Sequence, residues 1–388
     1  MKERVTARFE QEFHKKPCRF FRAPGRTELG GNHTDHQHGR VLAAAVELFA
    51  WAAVAPRNDG RVRVASEGYP VFEMQLGQTE AVPAERGTPL SLVRGIAAGL
   101  AAYGTAKQGA DIAVCSAVPV GSGLSSSASF EMLMAAALSD ICFEQKHAPV
   151  TLAAIAQRAE NEYFGKPCGL MDQLTCAVGG AVGIDFADAA EPAVEKLEFS
   201  LPGYTLCIVD SGADHAGLTA SYAAIPADLQ SVSAYFGKNY LREVDEVAFR
   251  AALPALRTAV GERAVLRAMH VFAENSRVGL QISALRSGNS AEFLELVNAS
   301  GRSSWMYLQN VVSGEASQKL AFAIAFCAQL LGGRGACRVH GGGFAGTLQA
   351  FVPDDMLEEF ICETEAALGS GCCRCLNIAA HGAGKAEG

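Results

Sequence analysis

The stretch PVGSGLSSSAS, residues 119–129, lies between a strand-like segment and a predicted helix. Its glycines let backbone N–H groups come close to a phosphate, the N-terminus of the helix attracts an anion, and its hydroxyls can bind phosphate oxygens or a magnesium ion. A helix-capping serine would account for Ser125 alone, so the pattern favours a phosphate-binding loop. The stretch lacks the third glycine of dinucleotide-binding loops and the lysine of the common P-loop.

The segments around this loop predict an α+β fold. Two strand-like runs, residues 41–56 and 61–66, flank the turn RNDG and predict a hairpin. A helical segment, residues 90–104, and a strand-like segment, residues 109–120, precede the loop, and a helix is predicted at about 125–143. Because hairpin-like neighbours do not alternate strictly with helices, a doubly wound parallel sheet is disfavoured.

The length of the chain predicts two domains. Its 388 residues exceed the size at which one core usually keeps growing. Residues 190–203 mix proline, glycine and charge ahead of the strand-like TLCIVDSG. We therefore predict domains at residues 1–198 and 199–388.

Composition favours a small-molecule partner. With 33 basic against 41 acidic residues and a formal net charge of -8, the chain lacks the basic character of a nucleic-acid-binding protein. Residues 41–56 form the longest apolar run, and Glu47 interrupts it, so no membrane span is predicted. The N-terminus has no signal-like segment, and together with twelve scattered cysteines this predicts a cytoplasmic location. The sequence predicts no oligomeric state.

Clustered cysteines and glycines mark two other segments. CCRC at residues 372–375 has no second Cys or His pair at zinc-ligand spacing, so structural or surface thiols are predicted there. HGGGFAGTLQAF, residues 340–351, carries three consecutive glycines that a plain turn would not need. We expect this second glycine cluster to form a wall of the phosphate site.

An arginine and an aspartate give the site its predicted chemistry. Asp172, in GLMDQL, stands at the start of a predicted helix, where it could cap the helix or act in catalysis. Arg26, in a PGR turn, carries the permanent charge that a developing alkoxide or a transferring phosphoryl group requires. A carboxylate, an arginine and a phosphate loop together indicate phosphoryl transfer to a hydroxyl.

Four segments in this order cover nearly the whole chain: APGRTELGGNHTDHQHGRVL at 23–42, PVGSGLSSSAS, PCGLMDQL at 167–174 and VHGGGFAGTLQAF at 339–351. Together they resemble the galactokinase branch of the GHMP small-molecule kinases. The resemblance implies a two-domain α+β GHMP kinase fold with the active site in the cleft between the domains. It also implies ATP-dependent phosphorylation of the anomeric (C1) hydroxyl of galactose or a close analogue.

The resemblance assigns roles to individual residues. Asp172 would orient or deprotonate the anomeric hydroxyl, with Arg26 stabilising negative charge beside it, and Ser127 and Glu160 would bind the Mg²⁺ that accompanies ATP as co-substrate. The predicted ATP-binding residues are Gly121, Ser122, Gly123, Leu124, Ser125, Ser126, Ser127 and Ala128. The predicted sugar-binding residues are Asn32, His33, Asp35, Gly169 and Tyr222.

HTDHQH, residues 33–38, has a metal-binding alternative, because it presents three imidazoles and a carboxylate. Ligands so close in sequence rarely complete a tetrahedral shell alone, and a sugar fits better, because Asp and His side chains can pair with adjacent hydroxyls.

Departures from the family pattern leave the substrate open. Relatives usually carry GEHTDY where this chain has Asn32 and His36, which removes a charge-assisted hydrogen bond worth roughly 1.5 to 3 kcal/mol. The arginines expected after Tyr222 are also missing from SYAAIPADL. A kinase for another sugar and a non-catalytic protein that senses sugar and ATP are the alternatives. Asn32→Glu is expected to improve galactose use.

Overall fold

The structure is a computed structural model that describes residues 1–213, 218–312 and 317–386. Its strands are β1 (Arg19–Gly30), β2 (Arg40–Arg57), β3 (Arg61–Ser66), β4 (Phe72–Gln75), β5 (Gly109–Ser116), β6 (Ala181–Asp185), β7 (Ala193–Leu197), β8 (Tyr204–Ala213), β9 (Ala336–Val339), β10 (Gly346–Pro353), β11 (Cys373–Leu376) and β12 (Gly384–Lys385). Its α-helices are α1 (Lys2–Phe13), α2 (Pro89–Ala101), α3 (Ser126–Leu138), α4 (Pro149–Arg158), α5 (Met171–Val178), α6 (Thr219–Tyr235), α7 (Glu246–Val260), α8 (Glu262–Arg286), α9 (Ser290–Ser303), α10 (Lys319–Leu331) and α11 (Leu357–Leu368). In the described ranges, no helix has both the length and the apolar character needed to cross a bilayer.

The described residues form two compact units that interleave along the chain. Unit 1 comprises Met1–Arg26, Ala45–Gly180 and the C-terminal segment that begins at Ile378, and unit 2 comprises Thr27–Ala44 and Ala181–Asn377. The sequence predicts one boundary, between residues 198 and 199, that divides the chain into two continuous domains. That boundary stays a prediction.

Unit 1 has a sheet with helices packed beside it. Strands follow the order β12-β1-β2-β5-β3-β4, and β3 runs parallel to β5. The hairpin predicted for residues 41–66 is wrong, because β5 lies between β2 and β3 and pairs with both. β5 is apolar and almost wholly buried, so it occupies the centre of the sheet, and the parallel β3–β5 pair is joined through α2.

Unit 2 contains a second, antiparallel sheet in the order β11-β8-β10-β9. Its apolar core includes Val209, Leu348 and Phe360, and a separate core lies among helices α6, α7 and α8. The beginning of β2 pairs with β6, from Arg40 opposite Asp185 to Ala44 opposite Ala181. The segment 27–44 is thereby held in unit 2.

Candidate active site

The loop at residues 119–129 has the backbone of an anion site. Gly121 and Gly123 have φ angles of 77° and 72°, in the left-handed region that favours glycine. Ser125 also has a positive φ and directly precedes α3, where no side chain of the described residues caps the helix. The first N–H groups of a helix have no partner within it, so those of α3 can bind an anion.

The serine hydroxyls of this loop have different partners. Ser122 donates to the carbonyl of Pro119 at 2.8 Å, and Ser129 donates to that of Ala23 at 2.9 Å. These two bonds hold the loop in place. Ser126 and Ser127 are half-buried, and their hydroxyls make no hydrogen bond with the part of the chain that the structure describes. They are therefore the hydroxyls best placed to bind a phosphate or a metal ion.

Arg26 and Asp172, which are 146 positions apart, form a two-point ion pair in unit 1. Nε of Arg26 donates to Oδ1 of Asp172 and Nη2 donates to Oδ2, each at 2.7 Å. Nη1 of Arg26 donates to the carbonyl of Gly123, and its backbone N–H donates to that of Leu124 at 3.0 Å. The arginine thus joins the predicted catalytic carboxylate to the phosphate loop.

Glycine at position 25 makes this approach possible. A Cβ atom built on Gly25 would lie 2.7 Å from the carbonyl oxygen of Leu124, closer than real Cβ contacts allow. β1 therefore reaches the loop only because the residue before Arg26 has no side chain.

Asp172 is held in its charged form. It lies in the first turn of α5, and its Oδ2 also accepts a hydrogen bond from the hydroxyl of Ser125. Burial alone would raise the pKa of Asp172, but the charge and hydrogen bonds of Arg26, together with Ser125, hold this pKa below its ordinary value. A carboxylate stabilised in this way is a weak base and a good hydrogen-bond acceptor.

A second carboxylate, Glu160, lies in a π-helical turn, Ala159–Phe164, and is nearly buried. Its Oε1 accepts a hydrogen bond from Nζ of Lys166 and its Oε2 accepts one from Nε2 of Gln173, both at 2.9 Å. Gln173 also donates to Oε2 of Glu131 at 2.9 Å. Burial and the charge of Glu160 raise the pKa of Glu131 well above its ordinary value.

Sequence reasoning missed Glu131, Lys166 and Gln173. Glu131 interrupts the apolar stretch of α3, and a lone acid in a buried helix face is a signal that could have identified it. Gln173 directly follows Asp172, so the sequence already indicated that Gln173 lies on the same helix.

The predicted metal ligands fit a magnesium ion. Mg²⁺ prefers oxygen ligands and is usually held by one or two protein groups together with substrate phosphates and water. The hydroxyl of Ser127 and the carboxylate of Glu160 are such groups. In the described ranges, no group of three or more His, Cys, Asp or Glu side chains is arranged to hold a metal ion.

The predicted sugar residue Asn32 is buried in unit 2, where its amide is fully engaged. Nδ2 donates to the carbonyl of Gly341 at 2.6 Å and to Oε1 of Glu28 at 3.1 Å. Oδ1 accepts a hydrogen bond from Asn310 at 2.8 Å. Asn32 is only 1% exposed. Its contact with a sugar stays a prediction.

The histidines of HTDHQH form a directed chain of hydrogen bonds. His33 must donate from Nε2 to the carbonyl of Gly342 at 3.1 Å, so its Nδ1 accepts from Nε2 of His36, also at 3.1 Å. Nδ1 of His36 then accepts from the amide of Gln37 at 3.3 Å, whose oxygen is held by the N–H of Leu241. Burial, with the neighbouring His36, lowers the pKa of His33 to about 3, so His33 is neutral.

Tyr222 is hydrogen-bonded within unit 2, whereas the carboxylate of Asp35 is available to a ligand. Tyr222 donates to the carbonyl of Gly343 at 2.6 Å, and burial raises its pKa to about 12. A Cβ atom on Gly342 would lie 2.8 Å from the Tyr222 ring, so the ring packs directly on the glycine run. Asp35 is half-buried, and its carboxylate has no partner among the described residues, which leaves it available to a hydroxyl.

The structure thus brings the predicted residues together in two groups. In unit 1, Arg26 and Asp172 join the phosphate loop, and Gly169 lies two residues before α5. In unit 2, Asn32, His33 and Tyr222 contact the glycine run 341–343. The expectation that this run forms a wall of the phosphate site stays a prediction.

Comparisons with known proteins agree with the motifs. The galactokinase galactose-binding signature matches residues 7–56, and the GHMP kinase N-terminal domain matches residues 91–180. A galactokinase of Streptomyces coelicolor is 30% identical over 90% of this chain and 88% of its own, and one of Glaesserella parasuis is 29% identical over 92% and 91%.

Solved structures show the same fold. The crystal structure of Lactococcus lactis galactokinase complexed with galactose superposes with a TM-score of 0.84 at 25% identity, covering 99% of both chains. A mevalonate kinase superposes with a TM-score of 0.67 at 15% identity over 93% of this chain and 99% of its own.

Proposed function

The chain belongs to the galactokinase family of the GHMP kinases, and we propose on this basis that it transfers the terminal phosphoryl group of ATP to the C1 hydroxyl of galactose. The products are galactose 1-phosphate and ADP. The observation that supports this proposal most is the Arg26–Asp172 pair bound to the loop at residues 119–129, because it joins a charged carboxylate to a phosphate-binding backbone.

In this proposal Asp172 orients the attacking hydroxyl. Its low pKa makes it a poor proton acceptor, so its main contribution is to accept the hydrogen bond of the C1 hydroxyl and align that oxygen with phosphorus. The proton of that hydroxyl passes late to the Asp172 carboxylate, when the oxygen–phosphorus bond has formed and the hydroxyl has become acidic enough to protonate a weak base. Arg26 stabilises the charge that develops on the transferring group.

The phosphate loop and two oxygen ligands bind the nucleotide. The N–H groups at the start of α3 and the hydroxyls of Ser126 and Ser127 contact the phosphates of ATP. Ser127 and Glu160 would hold Mg²⁺, which supplies neutralisation of phosphate charge when bound.

Segment 27–44 and the glycine run 341–343 bind the sugar. Asp35 accepts hydrogen bonds from sugar hydroxyls, and neutral His33 and Tyr222 make the other predicted contacts within unit 2. Asn32 is an amide where the family pattern described above has a carboxylate, and its side chain is engaged within the protein. These two features favour a changed sugar preference as the second candidate function.

Initial rates of ADP release with galactose and with a panel of other hexoses and pentoses test the proposal. We expect turnover with galactose that requires both ATP and a divalent ion. No turnover with galactose alongside turnover of another sugar would favour the second candidate. Saturable binding of galactose and ATP without ADP release from any sugar would show a sensor.

A further inference from the structure

Lys166 occupies the carboxylate oxygen that a metal ion at Glu160 would need. Its Nζ lies 2.9 Å from Oε1 of Glu160, and its backbone N–H donates to the Glu160 carbonyl at 3.1 Å. The two residues are six positions apart, so the short turn after the π-helical segment fixes the lysine beside this acid. No sequence motif pointed to this contact.

The other oxygen of Glu160 is also held. Gln173 donates to Oε2 of Glu160 and to Oε2 of Glu131, and Glu131 and Gln173 are both completely buried. The carboxylate therefore cannot rotate freely to offer a different oxygen. A cation that approaches through Oε1 meets the ammonium group of Lys166.

Lys166 is able to give up this position. The Lys166 side chain is 59% exposed, whereas that of Glu160 is 4% exposed, so the lysine reaches the buried acid from the solvent side. Its four-carbon stem can return the ammonium to water, where it is well hydrated. Glu160, by contrast, needs a positive partner in place, because an unpaired buried carboxylate is strongly destabilising.

We propose that Lys166 is a resident counter-ion of Glu160 that a divalent metal ion must displace, and that it thereby sets the metal concentration at which the site fills. The inference rests on the proposed function, because that proposal makes Glu160 a metal ligand. The ammonium stabilises Glu160 while the metal is absent and competes with the metal for Oε1 when the metal binds.

The test is a titration of the full-length protein with Mn²⁺ in the presence of a non-hydrolysable ATP analogue, with free Mn²⁺ measured by electron paramagnetic resonance. Lys166→Met should tighten Mn²⁺ binding by about two- to five-fold, the range expected for loss of a partly exposed ion pair. Lys166→Arg keeps the charge and should bind Mn²⁺ as the wild type does. Lys146→Met removes an exposed lysine elsewhere in unit 1 and controls for net charge.

Thermal unfolding of the same proteins gives a second readout. Without metal and nucleotide, Lys166→Met should unfold at a lower temperature than the wild type, because Glu160 has lost its partner. Addition of Mn²⁺ and the ATP analogue should reduce the difference in unfolding temperature between Lys166→Met and the wild type, because the bound metal ion replaces the lysine as the partner of Glu160. If Lys166→Met simply lost structure, its stability would fall but its affinity for Mn²⁺ would not rise. The two readouts together therefore separate loss of the ion pair from general misfolding.

Glu160→Gln separates this inference from the proposed function. If Glu160→Gln weakens Mn²⁺ binding while Lys166→Met leaves it unchanged or weakens it, the proposal for Lys166 is wrong and Glu160 remains a ligand. A weaker affinity for the ATP analogue in Lys166→Met would indicate a phosphate contact and would also contradict it. If Glu160→Gln binds Mn²⁺ as the wild type does, the assignment of Glu160 fails first.

Discussion

Arg26 binds both carboxylate oxygens of Asp172 and still donates to the carbonyl of Gly123 in the phosphate loop. One side chain therefore fixes the distance between a charged acceptor and the loop that precedes α3. Within unit 1 this arrangement has the parts that phosphoryl transfer needs, namely a positioned carboxylate, a permanent positive charge and an anion-binding backbone.

Asp172→Asn should lower kcat by at least about a hundred-fold, because the amide keeps the size of the side chain but loses the charged acceptor. Binding of ATP, measured by calorimetry, should change little. Asp355→Asn is the control, since Asp355 forms an exposed ion pair in which Nη2 of Arg334 donates to both carboxylate oxygens. A variant with near-normal kcat would remove Asp172 from the mechanism.

Arg26→Lys should shift the acid limb of the kcat/KM profile for galactose to higher pH. Arg26 holds the pKa of Asp172 below its ordinary value, and lysine cannot reproduce the two-point contact, so this pKa should rise. Activity that needs ionised Asp172 is present above its pKa and is lost as the pH falls through it. An unchanged acid limb would mean that another group controls it.

Gly25→Ala should weaken ATP binding by about tenfold, because the added methyl group would push the carbonyl of Leu124 and the loop out of position. Gly77→Ala adds the same methyl group where nothing lies within 4 Å and should bind ATP normally. Isothermal titration with ATP distinguishes the two. Equal affinities in both variants would show that the loop tolerates the displacement.

Asn32→Glu should destabilise the protein by about 3 kcal/mol rather than improve galactose use, in contrast to the expectation from the family pattern. The new carboxylate would face the carbonyl of Gly341 and the carboxylate of Glu28 inside the protein, where the amide of Asn32 now donates to both. Urea unfolding of the wild type and of Asn32→Glu measures the difference in their free energies of unfolding.

A second substitution tests the cause of that loss. Glu28→Gln combined with Asn32→Glu should recover part of the stability, because an amide at position 28 can donate to the new carboxylate. A double variant less stable than either single one would contradict this explanation.

The sequence predicted several site residues of unit 1, such as Arg26 and Asp172, but not the contacts between them. The glycines and serines at 119–129 signal an anion site because the chemistry is local. No spacing rule joins Arg26 to Asp172 across 146 positions, and only the packing of β1 against the loop shows that they pair. Lys166 and Gln173 were missed for the same reason.

The hairpin expectation depended on local pattern, and the Asn32 expectation, which stays a prediction, depended on the position of that residue in the family motif. The turn at 57–60 does link β2 to β3, but a buried apolar strand from later in the chain lies between them. For Asn32, the family position indicated a sugar contact, whereas burial and its hydrogen bonds to Gly341 and Glu28 engage the side chain within the protein. Burial and long-range pairing are decided by tertiary packing, which a single sequence does not display.

Phosphorus NMR of the product formed from ATP and galactose tests the central claim most directly. We predict one sugar phosphate, with the phosphoryl group on the anomeric oxygen and formed in equal amount to ADP by the wild type, and almost none from Asp172→Asn. A phosphate on another hydroxyl, or ADP formed at the same rate without any sugar, would contradict the account.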